Sequence, residues 1–276
     1  MLNLPNDQAA GLRRIMAGPK TRVISVLPAS PPEHQPRLLT NLAASLGANG
    51  CDVLILHAAE ESIEANRGYG ITTLPSLVDV VGKRAALAQT VRQSDQSFYT
   101  ARLLPRNYSP DFIDDQLEQA LNVVFNKLAA HFEIVLVDTR MNQRLALPLA
   151  ALYEGEIMIS LTRNPESIKQ AYLLMKQICG QFGRRNFGIV VDASSDTQAA
   201  SIFRNISQAA RRFMLIDLEF YGAIPADEHL ARAAKLGRAV TEAFPKSKAS
   251  QAFRTFAQRV DYQQYRSVET ELASLI

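Results

Sequence analysis

The chain has 276 residues, 47% hydrophobic and 21% charged, a balance that suits one large α/β domain with a sizeable core better than two small ones. Its 30 Lys+Arg nearly cancel its 27 Asp+Glu, leaving a formal charge of +3, and it has no Trp, so neither an electrostatic nor a base-stacking nucleic-acid surface is expected. Residues 1–16 are polar and mixed rather than signal-like, and no apolar run reaches the roughly 18 residues of a membrane span, so a cytoplasmic protein is expected.

Short apolar runs rich in β-branched residues predict strands over 22–27, 52–57, 101–104, 133–138, 156–161 and 187–191, with a weaker one over 215–224. Between them, helical periodicity predicts helices over 37–48, 111–130, 167–182 and 197–213. Strands alternating with helices imply a mostly parallel sheet of about seven strands, flanked by helices on both faces. The strands are apolar throughout rather than alternating, as a sheet covered on both sides requires. Three segments read as irregular: 28–36 with its four prolines, the polar 60–70, and 138–144. All three follow the C-terminal ends of strands, where open α/β sheets place ligands. Residues 262–276 read as a helical tail. Cys51 and Cys179 form no CxxC pair and are expected to be buried thiols.

The segment 23–43, VISVLPASPPEHQPRLLTNLA, resembles without a gap the first strand, phosphate loop and first helix of MinD/ParA-like ATPases. Four later segments resemble further motifs of that superfamily: 132–139 (FEIVLVDT), 162–172 (TRNPESIKQAY), 222–227 (GAIPAD) and 245–250 (PKSKAS). Near the start, Asp7, Gln8, Ala9, Gly11, Leu12 and Arg13 match the DQAxGLR element of the flagellar-number regulators FlhG and FleN. The resemblance implies a MinD-like P-loop fold over 21–260, preceded by a partner-activating segment at 1–20 and followed by a tail at 261–276. In that branch the DQAxGLR helix docks on FlhF, a signal-recognition-type GTPase, and stimulates GTP hydrolysis. Gln8 is then the residue that would orient a water or phosphate in the partner's site.

The phosphate loop itself departs from the pattern. Such a loop presents successive backbone N–H groups to the anion, curls close to it through glycine, and adds a Lys and a Mg²⁺-binding hydroxyl. No glycine lies between Pro28 and Pro36, and Pro28, Pro31, Pro32 and Pro36 have no N–H to donate. By alignment Gln35 stands in place of the main Lys, Pro36 in place of the Mg²⁺-binding Thr, and Ser30 in place of the second Lys. Glu33 adds an unfavourable charge. His57 and Ala59 replace two family aspartates, and Asp192 stands where an Asn usually reads adenine; only Asp138 survives. These positions imply a pseudo-ATPase with no catalytic residue, no ATP or Mg²⁺, and no metal site.

For 28–36 a plain surface loop is expected, and for Asp138 a buried cap on the following loop. His34 and His57 are expected to be solvated or to cap. The tail's acidic residues argue for packing on the body of the protein over a membrane helix, leaving membrane association weak or indirect. The expected function is a non-hydrolysing FlhG/FleN-like regulator of flagellar placement or number that contacts an FlhF-like GTPase. It would be a monomer or a nucleotide-independent dimer, reaching the cell pole or inner membrane face through partners. Two alternatives stay open: a weakly active MinD-like ATPase, and a scaffold of another surface machine such as cellulose secretion.

Overall fold

The computed structural model describes residues 21–29, 34–59, 73–106, 108–193 and 195–273. Its strands are β1 (Arg22–Pro28), β2 (Val53–His57), β3 (Arg92–Gln93), β4 (Tyr99–Arg102), β5 (Ile134–Asp138), β6 (Glu156–Thr162), β7 (Phe187–Ala193) and β8 (Leu218–Pro225). They form one sheet in the order β3-β4-β2-β5-β1-β6-β7-β8. All neighbouring pairs are parallel except β3 with β4. The sheet therefore has eight strands where about seven were expected. The extra strand is a two-residue, exposed edge piece, too short and too polar to leave an apolar signature.

Several boundaries moved, two of them as follows. Strand β4 ends at Arg102, two residues before the predicted end; Leu103 still donates to the His57 carbonyl, and Leu103 and Leu104 stay buried, which is what made the apolar run look longer. The predicted start of the last strand falls on Leu215, which adopts a left-handed φ of 55° and closes the preceding helix.

The helices are α1 (His34–Ala48), α2 (Leu77–Val81), α3 (Asp115–Ala129), α4 (Ala151–Glu154), α5 (Pro165–Phe182), α6 (Asp196–Met214), α7 (Glu228–Lys235), α8 (Val240–Ala243) and α9 (Lys248–Ala273). Alternation along each strand sends successive side chains to opposite faces. Ile24, Val26, Val53, Ile55 and Leu136 meet Leu38 and Leu42 of α1 and Phe253 and Phe256 of α9. On the other face Leu54, Leu56, Val135 and Val137 belong to a second core with Phe125 of α3, Met175 and Ile178 of α5, and Ile202 of α6. Each such buried side chain contributes about 1.5–3 kcal/mol relative to exposure. Both cysteines are half-buried rather than buried.

Among the described residues no helix is long and apolar enough to cross a membrane. Helix α9 runs without a break from Lys248 through the start of the expected tail. The tail's side chains, the loop at 60–70 and the segment at 1–20 lie outside the described residues.

Candidate functional site

Strand β1 sits between β5 and β6, the two strands where the chain switches from building one half of the sheet to building the other. The crevice beyond the carboxyl ends of these strands is where an open α/β sheet binds ligands. Helix α1 starts there. Its first residues are His34, Gln35 and Pro36, which the sequence had placed in an irregular loop. Proline is compatible with a first helical turn, since its missing N–H would have no intrahelical partner there.

Gln35 is 2% exposed, and its side chain lies down on the sheet. Its Nε2 donates to the Val26 carbonyl at 2.7 Å, and the Ser160 hydroxyl donates to its Oε1 at 3.3 Å. The amide is thus held at both ends, by β1 and by β6. Beside it His34 Nδ1 lies 2.9 Å from Asp192 Oδ2, joining the start of α1 to the end of β7. On the other side of β1, His57 and Asp138 are register partners on β2 and β5, with Nδ1 and Oδ2 3.3 Å apart.

His57 and Asp138 are both almost fully buried, at 3% and 2% side-chain exposure. Each group lessens the other's cost of burial, because an unpaired charge in this position would be strongly unfavourable. Nδ1 facing a carboxylate carries the proton, which leaves Nε2 as the free end of the ring. Among the described residues that Nε2 is buried with no hydrogen-bond partner. The next strand outward contributes Arg102, in register with His57. Burial pushes its guanidinium below its ordinary value, Arg106 adds to this, and Asp79 opposes it.

Several sequence expectations change here. His57 is buried against Asp138, neither solvated nor a cap, because the end of β2 lies inside the sheet. The Asp138 carboxylate turns sideways to His57 instead of capping the loop after it; its backbone carbonyl accepts from Ala58 and Ala59. His34 pairs with Asp192 across two strands, and nothing in the spacing of residues 34 and 192 signals that contact. Pro28 is the last residue of β1 and not loop. Gln35 and Pro36 begin α1, and Asp138 ends β5, the strand beside β1. Ser30, and the segment carrying Asp7, Gln8, Ala9, Gly11, Leu12 and Arg13, lie outside the described residues.

No protein-family model matches the chain. The ParA family ATPase from Chlorobium tepidum superposes with a TM-score of 0.66 at 18% identity, covering 87% of this chain and 99% of that one. MinD of Aquifex aeolicus superposes with a TM-score of 0.64 at 17% identity, covering 87% of this chain and 96% of that one. These likenesses establish the fold. In sequence, the antiactivator FleN of Pseudomonas aeruginosa is 27% identical over 222 residues, 80% of this chain and 79% of FleN. The chain is thus similar to FleN in sequence and to MinD and ParA ATPases in fold. At the carboxyl ends of the strands the chain's own polar groups bond to one another. The Gln35 amide, the His34–Asp192 pair and the His57–Asp138 pair follow one another along the carboxyl edge of the sheet.

Proposed function

We propose that the chain is a non-hydrolysing FlhG/FleN-like regulator of flagellar placement or number, working through protein contacts and not through an ATP cycle. The observation that carries this is the seating of Gln35. In the superfamily that position holds a Lys that reaches the phosphates. Here a neutral amide is bonded to Val26 and Ser160 and points no charge into the crevice. Pro36 supplies no hydroxyl for Mg²⁺, and the loop before it has no glycine to bring backbone N–H groups close. Each lost charge-assisted hydrogen bond costs a polyphosphate about 1.5–3 kcal/mol of affinity. Two such losses weaken binding by roughly two to four powers of ten.

FleN of Pseudomonas aeruginosa is described as an antiactivator. An equivalent role here makes the output a contact that restrains a flagellar regulator. The DQAxGLR segment from Asp7 to Arg13 supports an FlhF-like GTPase as one such partner. Isothermal titration with Mg-ATP is the test: no saturable heat is expected up to millimolar nucleotide, and a dissociation constant in the low micromolar range would overturn the reading. The partner is tested separately, by the GTP hydrolysis of an FlhF-like GTPase with the full chain and with residues 1–18 deleted. Loss of stimulation on deletion supports the contact, and equal rates with both proteins remove it.

A further inference from the structure

On the face opposite α1, the outer strand β8 and helix α6 enclose an open groove of about 710 Å³. Its floor is aromatic: Phe203 of α6 and Phe220 of β8 lie with ring centroids 5.0 Å apart. Arg204, Arg211 and Arg212 project from α6 along its wall, and no carboxylate lines it. Arg259 of α9 reaches round the sheet edge to within 5.7 Å of the Phe220 ring centre.

These cations are differently engaged. Arg211 is held by Asp217 at 2.7 Å. Arg212 lies over the Phe213 ring and meets no carboxylate among the described residues, and neither does Arg204. Glu219 leaves the strand on the side away from Phe220, by alternation, so its charge does not neutralise the groove. No strand pairs with the outer edge of β8 among the described residues, which keeps the groove open on that side. Phe213 and Leu215, at the end of α6, are 66% and 63% exposed. An apolar floor walled by unpaired guanidinium groups matches an acidic segment with apolar side chains, because Arg binds carboxylates in a fork and stacks on aromatic faces.

We propose that the groove between α6 and β8 docks an acidic segment of a partner protein, seating an apolar side chain on Phe203 and Phe220 while its carboxylates meet Arg204 and Arg212. The site lies across the sheet from α1 and does not depend on whether nucleotide binds.

The test uses the full-length chain and a short fluorescein-labelled peptide in which glutamate alternates with leucine, followed by fluorescence anisotropy. Saturable binding is expected, weakened at least tenfold by the double variant Arg204→Glu and Arg212→Glu. Both residues are exposed, so the fold should survive, and an unchanged circular dichroism melt checks this. A control peptide with serine in place of leucine should bind at least tenfold more weakly, since it leaves the phenylalanines uncovered. Equal binding of both peptides, or equal binding by the double variant, overturns the proposal. So does Arg204- and Arg212-dependent capture of phosphatidylserine vesicles or duplex DNA without binding of the glutamate–leucine peptide.

Discussion

At the scale of single residues, the crevice is shaped by what its polar atoms bond to. Gln35 donates to the Val26 carbonyl, which also accepts from the Thr139 N–H at 3.4 Å, and takes a bond from Ser160. Replacing it with alanine removes the shorter bond to that carbonyl and leaves the buried Ser160 hydroxyl without its partner, at about 1–3 kcal/mol for a group so left. We expect Gln35→Ala to lower unfolding free energy by about 1–3 kcal/mol in urea titration, the lower end if water enters the space. A change below a few tenths would mean that the amide contributes nothing to holding α1 on the sheet. The alignment identified Gln35 as the residue lacking a charge. It could not show where the amide goes, because a side chain's bond to a carbonyl nine residues earlier depends on how the helix docks. Cys51 is a similar case. Its sequence surroundings read as an ordinary core thiol, yet it is half-buried, and burial together with the nearby Asp261 and Glu133 pushes it up to about 11.

At the scale of elements, the chain ties helix ends to one another through a few acidic side chains. Asp227, within the segment GAIPAD, is the clearest. It caps α7 by accepting from the His229 backbone N–H at 2.9 Å, and its other oxygen accepts from the Ala249 N–H at 2.9 Å, at the start of α9. One carboxylate thus serves two helix N-termini, both of which favour negative charge. Burial raises its pKa, but the bonds from Ala249 and His229 outweigh this, and the carboxyl lies below its ordinary value of 3.8. The sign follows from linkage: a depressed folded value adds stability that is fully present above the unfolded value. It is lost as pH falls from about 4 through the folded value. Asp227→Ala should therefore cost at least about 1–2 kcal/mol at pH 7, as lost caps do, and should flatten the acid-side loss of stability below pH 4. Urea titrations at pH 7 and at pH 3 check both parts; an unchanged pH slope would remove Asp227 from the account. Elements of this kind were only partly legible in the sequence. Long helices such as α5 and α6 announce themselves by period, while the caps Asn164 and Ser195 start them at Pro165 and Asp196, just ahead of the periodic runs. Short ones such as α4 and α8 have too few residues for any period to register.

At the scale of the whole molecule, the mostly parallel sheet was readable because central strands such as β2 and β5 are near-continuous apolar runs, as a doubly covered sheet needs. What holds the far strand to the centre was not readable. The Arg22 side chain on β1 forms a fork on Glu156 of β6, at 2.7 and 2.8 Å, and also donates to the Val260 carbonyl of α9. The hydroxyl of Tyr221 on β8 donates to the same carboxylate at 2.8 Å, and its ring occupies the space that a Cβ at Gly188 would need. This network spans β1, β6 and β8 at the end of the sheet opposite the crevice. The sheet is therefore clamped by its own side chains at both ends: by the Arg22 network at one, and by Gln35 and the two His–Asp pairs at the other. Neither clamp contains a group that a nucleotide would have to supply. A ligand shifts an equilibrium only as far as it binds the two states differently. If the crevice has no affinity for ATP, then ATP cannot favour a closed dimer over separate chains. Sedimentation velocity of the full chain should give the same distribution with and without millimolar Mg-ATP, whether that distribution is monomer or dimer. A shift toward dimer on adding nucleotide would overturn the proposed loss of the ATP cycle.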